Sequence, residues 1–171
     1  MHAPATKPLS PCDFIAAAEA MRTDGNSLVL TAGTFDRLDL AELHQLQTAA
    51  RYGDRLLVAV ASDLHVAETQ HRAHVRAARV AAMRCVDLVV INIWPEGWLI
   101  DALLPEAWVW PGPPEQDLCR RAVTSYGGRV IHLANLALLE LTATHGRAAP
   151  VEATRMVAPL RVFRGEACRE T

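Results

Sequence analysis

The sequence predicts an α/β fold: a single Rossmann-like, doubly wound domain of about five parallel strands flanked by helices. Three observations lead there. Short apolar runs recur along the chain, with LVL at 28–30, LLVAVA at 56–61 and DLVVINI at 87–93 the clearest. LLVAVA is apolar throughout rather than at alternate positions, the pattern of a parallel strand buried on both faces. Between the runs lie segments whose apolar residues return every three or four positions, so helices separate the strands and the sheet is parallel.

Residues 1–10 are proline-rich and read as a flexible N-terminus. Ser10, Cys12 and Asp13 supply helix-start chemistry, and Phe14 to Met21 reads as the first helix. Asp24-Gly25-Asn26 is a turn into a first strand from Leu28 to Ala32. Asp36 or Asp39 caps the next helix, which runs to about Arg51 with apolar residues at Leu40, Leu43, Leu46 and Ala50. Tyr52-Gly53-Asp54 ends it, and Leu56 to Ala61 is the second strand. An arginine- and alanine-rich helix covers Glu68 to Arg84, followed by a strand from Asp87 to Ile93 and a helix from Glu96 to Leu104. A fourth strand spans Ala107 to Trp110, and a helix Glu115 to Tyr126. Gly127-Gly128 turns the chain into a fifth strand, Arg129 to Leu133, and Ala134 to Thr144 is a last helix. The domain thus covers 11–145, and 146–171 is a tail interrupted by proline and arginine.

A chain of 171 residues, 51% hydrophobic and 21% charged, suits one globular domain. A formal charge of −2 leaves no basic footprint, so nucleic acid is not an expected partner. No apolar run reaches bilayer length, so no membrane partner is expected. No basic stretch leads an apolar one at the N-terminus, so a cytoplasmic location is. Cys12, Cys85, Cys119 and Cys168 stand far apart without a C-x-x-C pair, which predicts reduced thiols and no metal site. His71 and His74 lack any supporting ligand motif, and no metal is expected there. Lys7 is the one lysine, so the domain has none with which to hold a phosphate.

The segment from Gly33 to Leu56 reads GTFDRLDLAELHQLQTAARYGDRL. This resembles the signature of the cytidylyltransferase-like nucleotidyltransferases, closest to the glycerol-3-phosphate cytidylyltransferases and the adenylyltransferase half of the ADP-heptose synthases. That signature runs G-x-F-D-x-x-H-x-G-H, then L, A and G-D. Gly33, Phe35, Asp36, Leu46, Ala49, Gly53 and Asp54 match it without a gap. The H-x-G-H motif itself is degenerate: Asp39 stands at the first histidine, Ala41 at the glycine and Glu42 at the second histidine. VRAARVAAMRCVDLVVI at 75–91, PEAWVWPG at 105–112 and YGGRVIHL at 126–133 extend the likeness, without the family's K-G pair at Trp110-Pro111. Thr142-Ala143-Thr144 is at most a remnant of its S-T-T motif.

The resemblance implies that the loop after the first strand and the following helix start hold a nucleoside triphosphate, through backbone N–H groups and the helix dipole. Its histidines stabilise charge on the phosphates. Asp39 and Glu42, three apart and on one helix face, reverse the sign of that interaction. As neighbouring carboxylates they suit acid/base chemistry instead, with Asp36 beside them. Gly33, Thr34, Phe35 and Arg37 are the expected ligand-binding residues of the loop. Trp94 and Trp110, at the ends of strands three and four, are expected as aromatic walls, although aromatics also pack in cores. Arg76 and Arg79 read as a solvated helix face.

Three readings follow. The first is a repurposed nucleotidyltransferase fold that has lost ordinary nucleotidyl transfer and binds or acts on a small organic molecule, without a cofactor, in an acidic, tryptophan-lined crevice. The second is a divergent cytidylyl- or adenylyltransferase that uses Mg²⁺ and a phosphorylated small molecule. The third is a non-catalytic binding or scaffold protein, a homodimer as the resemblance implies.

Overall fold

A computed structural model of the chain describes residues 8–66, 68–93, 96–112 and 117–133. Helix α1 (Pro11–Thr23) leads into strand β1 (Leu28–Gly33). Helix α2 (Leu40–Ala49) and strand β2 (Arg55–Ala61) come next. Helix α3 (Ala73–Ala81), strand β3 (Leu88–Asn92), helix α4 (Glu96–Leu103) and strand β4 (Ala107–Trp110) follow. Helix α5 (Arg120–Ser125) and strand β5 (Arg129–His132) end the described chain. The five strands form one parallel sheet in the order β3-β2-β1-β4-β5. The fold class is the one the sequence predicts.

Alternation along each strand divides the core in two. Leu28, Leu30, Leu57, Val90 and Trp108 face α1, α4 and α5, where Phe14, Ile100 and Val123 meet them. Val29, Val58, Val60, Val89 and Val109 face α2 and α3, against Leu46, Ala77 and Val80. The all-apolar runs of β1 and β2 are thereby explained, since both strands are interior to the sheet.

Several boundaries differ from expectation for local reasons. Residues 8–10 are ordered: Leu9 N–H donates to Val89 O at 2.9 Å in a parallel bridge beside β3, and the Ser10 hydroxyl caps α1 by accepting from Asp13 N–H. Helix α3 begins at Ala73 rather than Glu68, because the preceding residues are held by side chains of other loops. Helix α5 begins at Arg120 rather than Glu115, after a turn in which Asp117 accepts from Cys119 N–H. Cys85 is half-buried and Cys119 buried, and neither is in a disulfide. Trp94, Glu115, the helix expected over 134–144 and the tail 146–171 lie outside the described residues. Among the described residues no helix is long and apolar enough to cross a membrane.

The Gly53-Asp54 pair has a structural cause. A Cβ on Gly53 would stand 2.7 Å from Val29 Cγ2. The Asp54 carboxylate accepts from Ser27 N–H at 2.9 Å and Ser27 Oγ at 2.6 Å, bonds that hold it below the ordinary carboxylate pKa. The pair therefore fixes the entry to β1 and β2.

Candidate functional site

Chain order reverses between β1 and β4, so the crevice of this sheet lies beyond the C-terminal ends of those two strands. The loop after β1 is tightly wound, with Phe35 and Leu38 both left-handed at φ 53° and 49°. The Phe35 ring folds back over Gly33, where a Cβ would meet Phe35 Cζ at 2.9 Å. The G-x-F spacing is thus a packing unit: the glycine admits the ring, and the ring is fully buried rather than presented to a ligand.

Asp36, expected as a catalytic acid or a helix cap, does not cap α2, where Asp39 is the N-cap. The Asp36 carboxylate accepts from Gln70 N–H and His71 N–H, each at 2.9 Å, with His71 Nδ1 3.4 Å away. The bond from Gln70, with those from His71, lowers its pKa. Arg76, expected on a solvated face, is completely buried. It donates to Thr34 O at 2.6 Å, to His71 O at 2.9 Å and to Asp63 Oδ1 at 2.9 Å. The Arg76 bond holds the Asp63 carboxyl below its ordinary pKa. Arg79 also turns inward, 3.0 Å from His71 Nε2. These contacts lace the loop after β1 to the segment ahead of α3.

At the start of α2, Asp39 and Glu42 form a reciprocal capping box. The Asp39 carboxylate accepts from Glu42 N–H at 3.0 Å, and the Glu42 carboxylate accepts from Asp39 N–H at 3.3 Å. Desolvation, with a smaller contribution from Asp39, raises the Glu42 pKa. One turn on, Gln45 is buried and donates to Thr31 Oγ1 at 2.9 Å and Ala32 O at 3.2 Å. Thr31 in turn donates to Val109 O at 2.8 Å, tying α2, β1 and β4 together beneath the crevice.

A groove of about 450 Å³ opens here, lined by Asp36, Arg37, Asp39, Ala41, Glu42, Glu68 and Gln70. Of the expected ligand residues, Arg37 lines it. Gly33 and Phe35 pack on each other, and Thr34 is engaged through its carbonyl. Trp110 lies on the other face of the sheet, stacked on buried Trp108 with centroids 6.1 Å apart. The acids and the tryptophan are therefore not brought into one pocket.

On that other face, Asp117 accepts from Trp108 Nε1 at 3.1 Å and pairs with His132 Nε2 at 3.0 Å. The sequence reading passed over both residues. Among the described residues no group of three or more His, Cys, Asp or Glu is arranged to hold a metal. Mg²⁺ prefers carboxylate oxygens, yet Asp36, Asp39 and Glu42 each already accept backbone N–H groups. The set fits a resident Mg²⁺ poorly.

The description of the Cytidylyltransferase-like family matches residues 30–112, from β1 through β4. The chain belongs to the cytidylyltransferase-like nucleotidyltransferase superfamily. It is 37% identical over 134 residues to the bifunctional protein HldE of Geotalea uraniireducens, an alignment covering 69% of this chain and 26% of that protein. With HldE of Halorhodospira halophila it shares 36% over 133 residues, 72% of this chain and 28% of the relative. The chain thus spans about a quarter of the length of the curated relatives it matches. The fold is also that of the lipopolysaccharide core biosynthesis protein from Thermoplasma volcanium, with a TM-score of 0.58 at 19% identity over 65% of this chain and 98% of that one. Within the superfamily signature, this structure gives Gly33, Phe35, Asp36, Gly53 and Asp54 scaffold roles.

Proposed function

We propose that this chain is a repurposed nucleotidyltransferase-fold protein that binds a small cationic organic molecule in the acidic groove and no longer carries out ordinary nucleotidyl transfer. The observation that carries the reading is the capping box. The first turn of α2, where the family resemblance places a triphosphate, is occupied by the chain's own Asp39 and Glu42 carboxylates. An N–H already bonded to Asp39 is not offered to a phosphate, and the adjacent carboxylates repel one. The same groove suits a cation, since Asp36 and Glu68 bring its lining carboxylates to four against the single arginine Arg37. Glu42, whose pKa is raised, is the group best prepared to exchange a proton with a bound molecule. The tryptophan wall of the sequence reading is not needed.

The test is a thermal-shift titration with ATP and CTP, with and without Mg²⁺, beside a panel of small amines and guanidines. A ligand at a hundred times its dissociation constant stabilises a fold by about 2.7 kcal/mol. A shift with a cation, lost in Asp39→Asn/Glu42→Gln, is expected. A Mg²⁺-dependent shift with one triphosphate and none with cations would sink the reading.

A second reading is favoured by the relatives themselves: at 37% identity to a bifunctional HldE, the chain transfers a nucleotidyl group to a phosphorylated small molecule. The metal then arrives on the nucleotide. Pyrophosphate release from ATP or CTP with a phosphorylated sugar distinguishes it.

A further inference from the structure

One imidazole beside the groove is held between opposite charges. His71 has the Asp36 carboxylate 3.4 Å from its Nδ1 and the Arg79 guanidinium 3.0 Å from its Nε2. Asp36 and Gln70, the residue before His71, both line the groove.

The guanidinium decides which ring nitrogen carries the proton. Arginine has donors and no acceptor, so Arg79 Nη2 bonds to Nε2 only when Nε2 offers its lone pair. Neutral His71 therefore carries its proton on Nδ1, the atom beside Asp36. At 3.4 Å from Asp36 Oδ1 this buried N–H lies close to a carboxylate but is hydrogen-bonded to nothing. A buried donor in that state is costly, and a full charge on the ring would draw it onto the carboxylate.

A second proton changes both contacts. It can go only to Nε2, where two positively charged donors cannot share a 3.0 Å contact. Arg79 must leave Nε2, keeping a 3.4 Å bond to Asp36 O. The charge gained by the ring meanwhile offsets Asp36, one of the four carboxylates that line the groove.

The charged groups that face the ring are Asp36 from the loop after β1 and Arg76 and Arg79 from α3. Arg76 donates to His71 O and is committed to Asp63 and Thr34 O. Arg72 and His74, the chain neighbours, are exposed. Histidine ordinarily changes charge between about pH 5 and 8. Asp36, held below 3.8, stays ionised throughout that range.

We infer that His71 is a proton switch for the groove: neutral, it holds Arg79 and leaves the charge of Asp36 to a bound cation; protonated, it releases Arg79 and pairs with Asp36 itself. The inference rests on the cation-binding reading of the groove and adds its regulation. Cation affinity falls on acidification, and by reciprocity a bound cation opposes protonation of His71.

The test begins with the ring. Imidazole ¹⁵N spectra of the full chain distinguish a nitrogen that bears a proton from one that bears a lone pair. At about pH 8, His71 should show a protonated Nδ1 and a lone-pair Nε2, and Arg79→Met should move the proton toward Nε2. A protonated Nε2 in the unaltered chain would overturn the switch, whatever binds in the groove. The second arm measures affinity for agmatine, which carries an amine and a guanidinium. Between about pH 8 and about pH 5.5 it should weaken about fivefold more in the unaltered chain than in His71→Gln. Glutamine is neutral at both pH values and its amide oxygen can accept from Arg79. The comparison also cancels the contributions of Glu42 and the other histidines. An unchanged melting temperature would verify that the variant folds. Equal pH dependence in the two chains would overturn the inference. Without any variant, saturating agmatine should move the His71 titration to lower pH, and an unmoved midpoint would overturn it as well. Failure of agmatine to bind at either pH would sink the groove reading and its regulation together, while the ring spectra would still report the tautomer, so the two failures are distinguishable.

Discussion

The two faces of the sheet each bury a polar network beneath the crevice, and they do so with opposite charges. Beside α2 and α3 the centre is a cation, Arg76, which donates to two backbone carbonyls and Asp63. Beside α1, α4 and α5 the centre is an anion, Asp117, which accepts from Trp108, Cys119 and His132. The cation ties two loops that are 42 residues apart at Arg76 and Thr34. The anion ties a loop to the end of β5, 15 residues away. Which charge is used follows from what must be satisfied: loop carbonyls require a donor, whereas an indole N–H and a backbone N–H require an acceptor.

Replacing the two centres tests that comparison. Arg76→Met should be the most destabilising single change, by about 3 kcal/mol, because Thr34 O and His71 O lose their partner together. Urea unfolding measures it, and Arg76→Lys should recover little, since a single ammonium cannot span three acceptors in the same fork. Asp117→Ala should cost about 2 kcal/mol and alter the near-ultraviolet circular dichroism of the Trp108–Trp110 pair. The double variant should show additive losses, because the networks share no partner. A coupling well above about 0.5 kcal/mol would mean the two faces communicate through β1 and β4.

Smaller changes sharpen the contrast at the groove. Asp39→Ala removes the α2 cap and should cost about 1 kcal/mol, read by thermal unfolding. Acid should loosen the α2/α3 side locally. Asp36 and Asp63 have folded-state pKa values below 3.8, so their stabilisation is present above that value and lost as the pH falls through the lowered ones. Lower protection of the Gln70, His71 and Ala73 amides, measured against their intrinsic exchange rates at each pH below 3.8, is the expected outcome. Glu42 has the opposite sign: its raised pKa means that its ionised form is disfavoured by folding, a penalty relieved as the pH falls toward 4.5. Glu42→Gln keeps a capping side chain and should change stability at pH 7 by less than about 0.5 kcal/mol.

Much of this architecture could be read from the chain. The apolar runs located every strand, and β4 over Ala107–Trp110 was placed to the residue. Trp108 and Trp110, two positions apart in β4, fall on one side of the strand, as their stacking shows. The Asp39-x-x-Glu42 spacing carries the capping box in the sequence itself, since an N-cap acceptor three residues ahead of a glutamate is its signature. Arg76 was misjudged because arginine is seldom fully buried. Yet Ala73, Arg76, Ala77 and Val80 share the buried face of α3, and that spacing was the available signal. Asp117 gave no such signal, since its partners come from β4 and β5, contacts that only the folded sheet creates.

The bridge from Leu9 to β3 makes the sheet's two outer edges unlike. On one side a donated N–H occupies part of the edge that another strand would need. On the other, β5 is four residues long and carries Arg129, so the protection given by the described residues is brevity and charge. Covering is indifferent to ionic strength, whereas charge is screened within about 8 Å at physiological salt. Any tendency of this protein to add strands between copies on salting should therefore arise at β5 and leave β3 untouched.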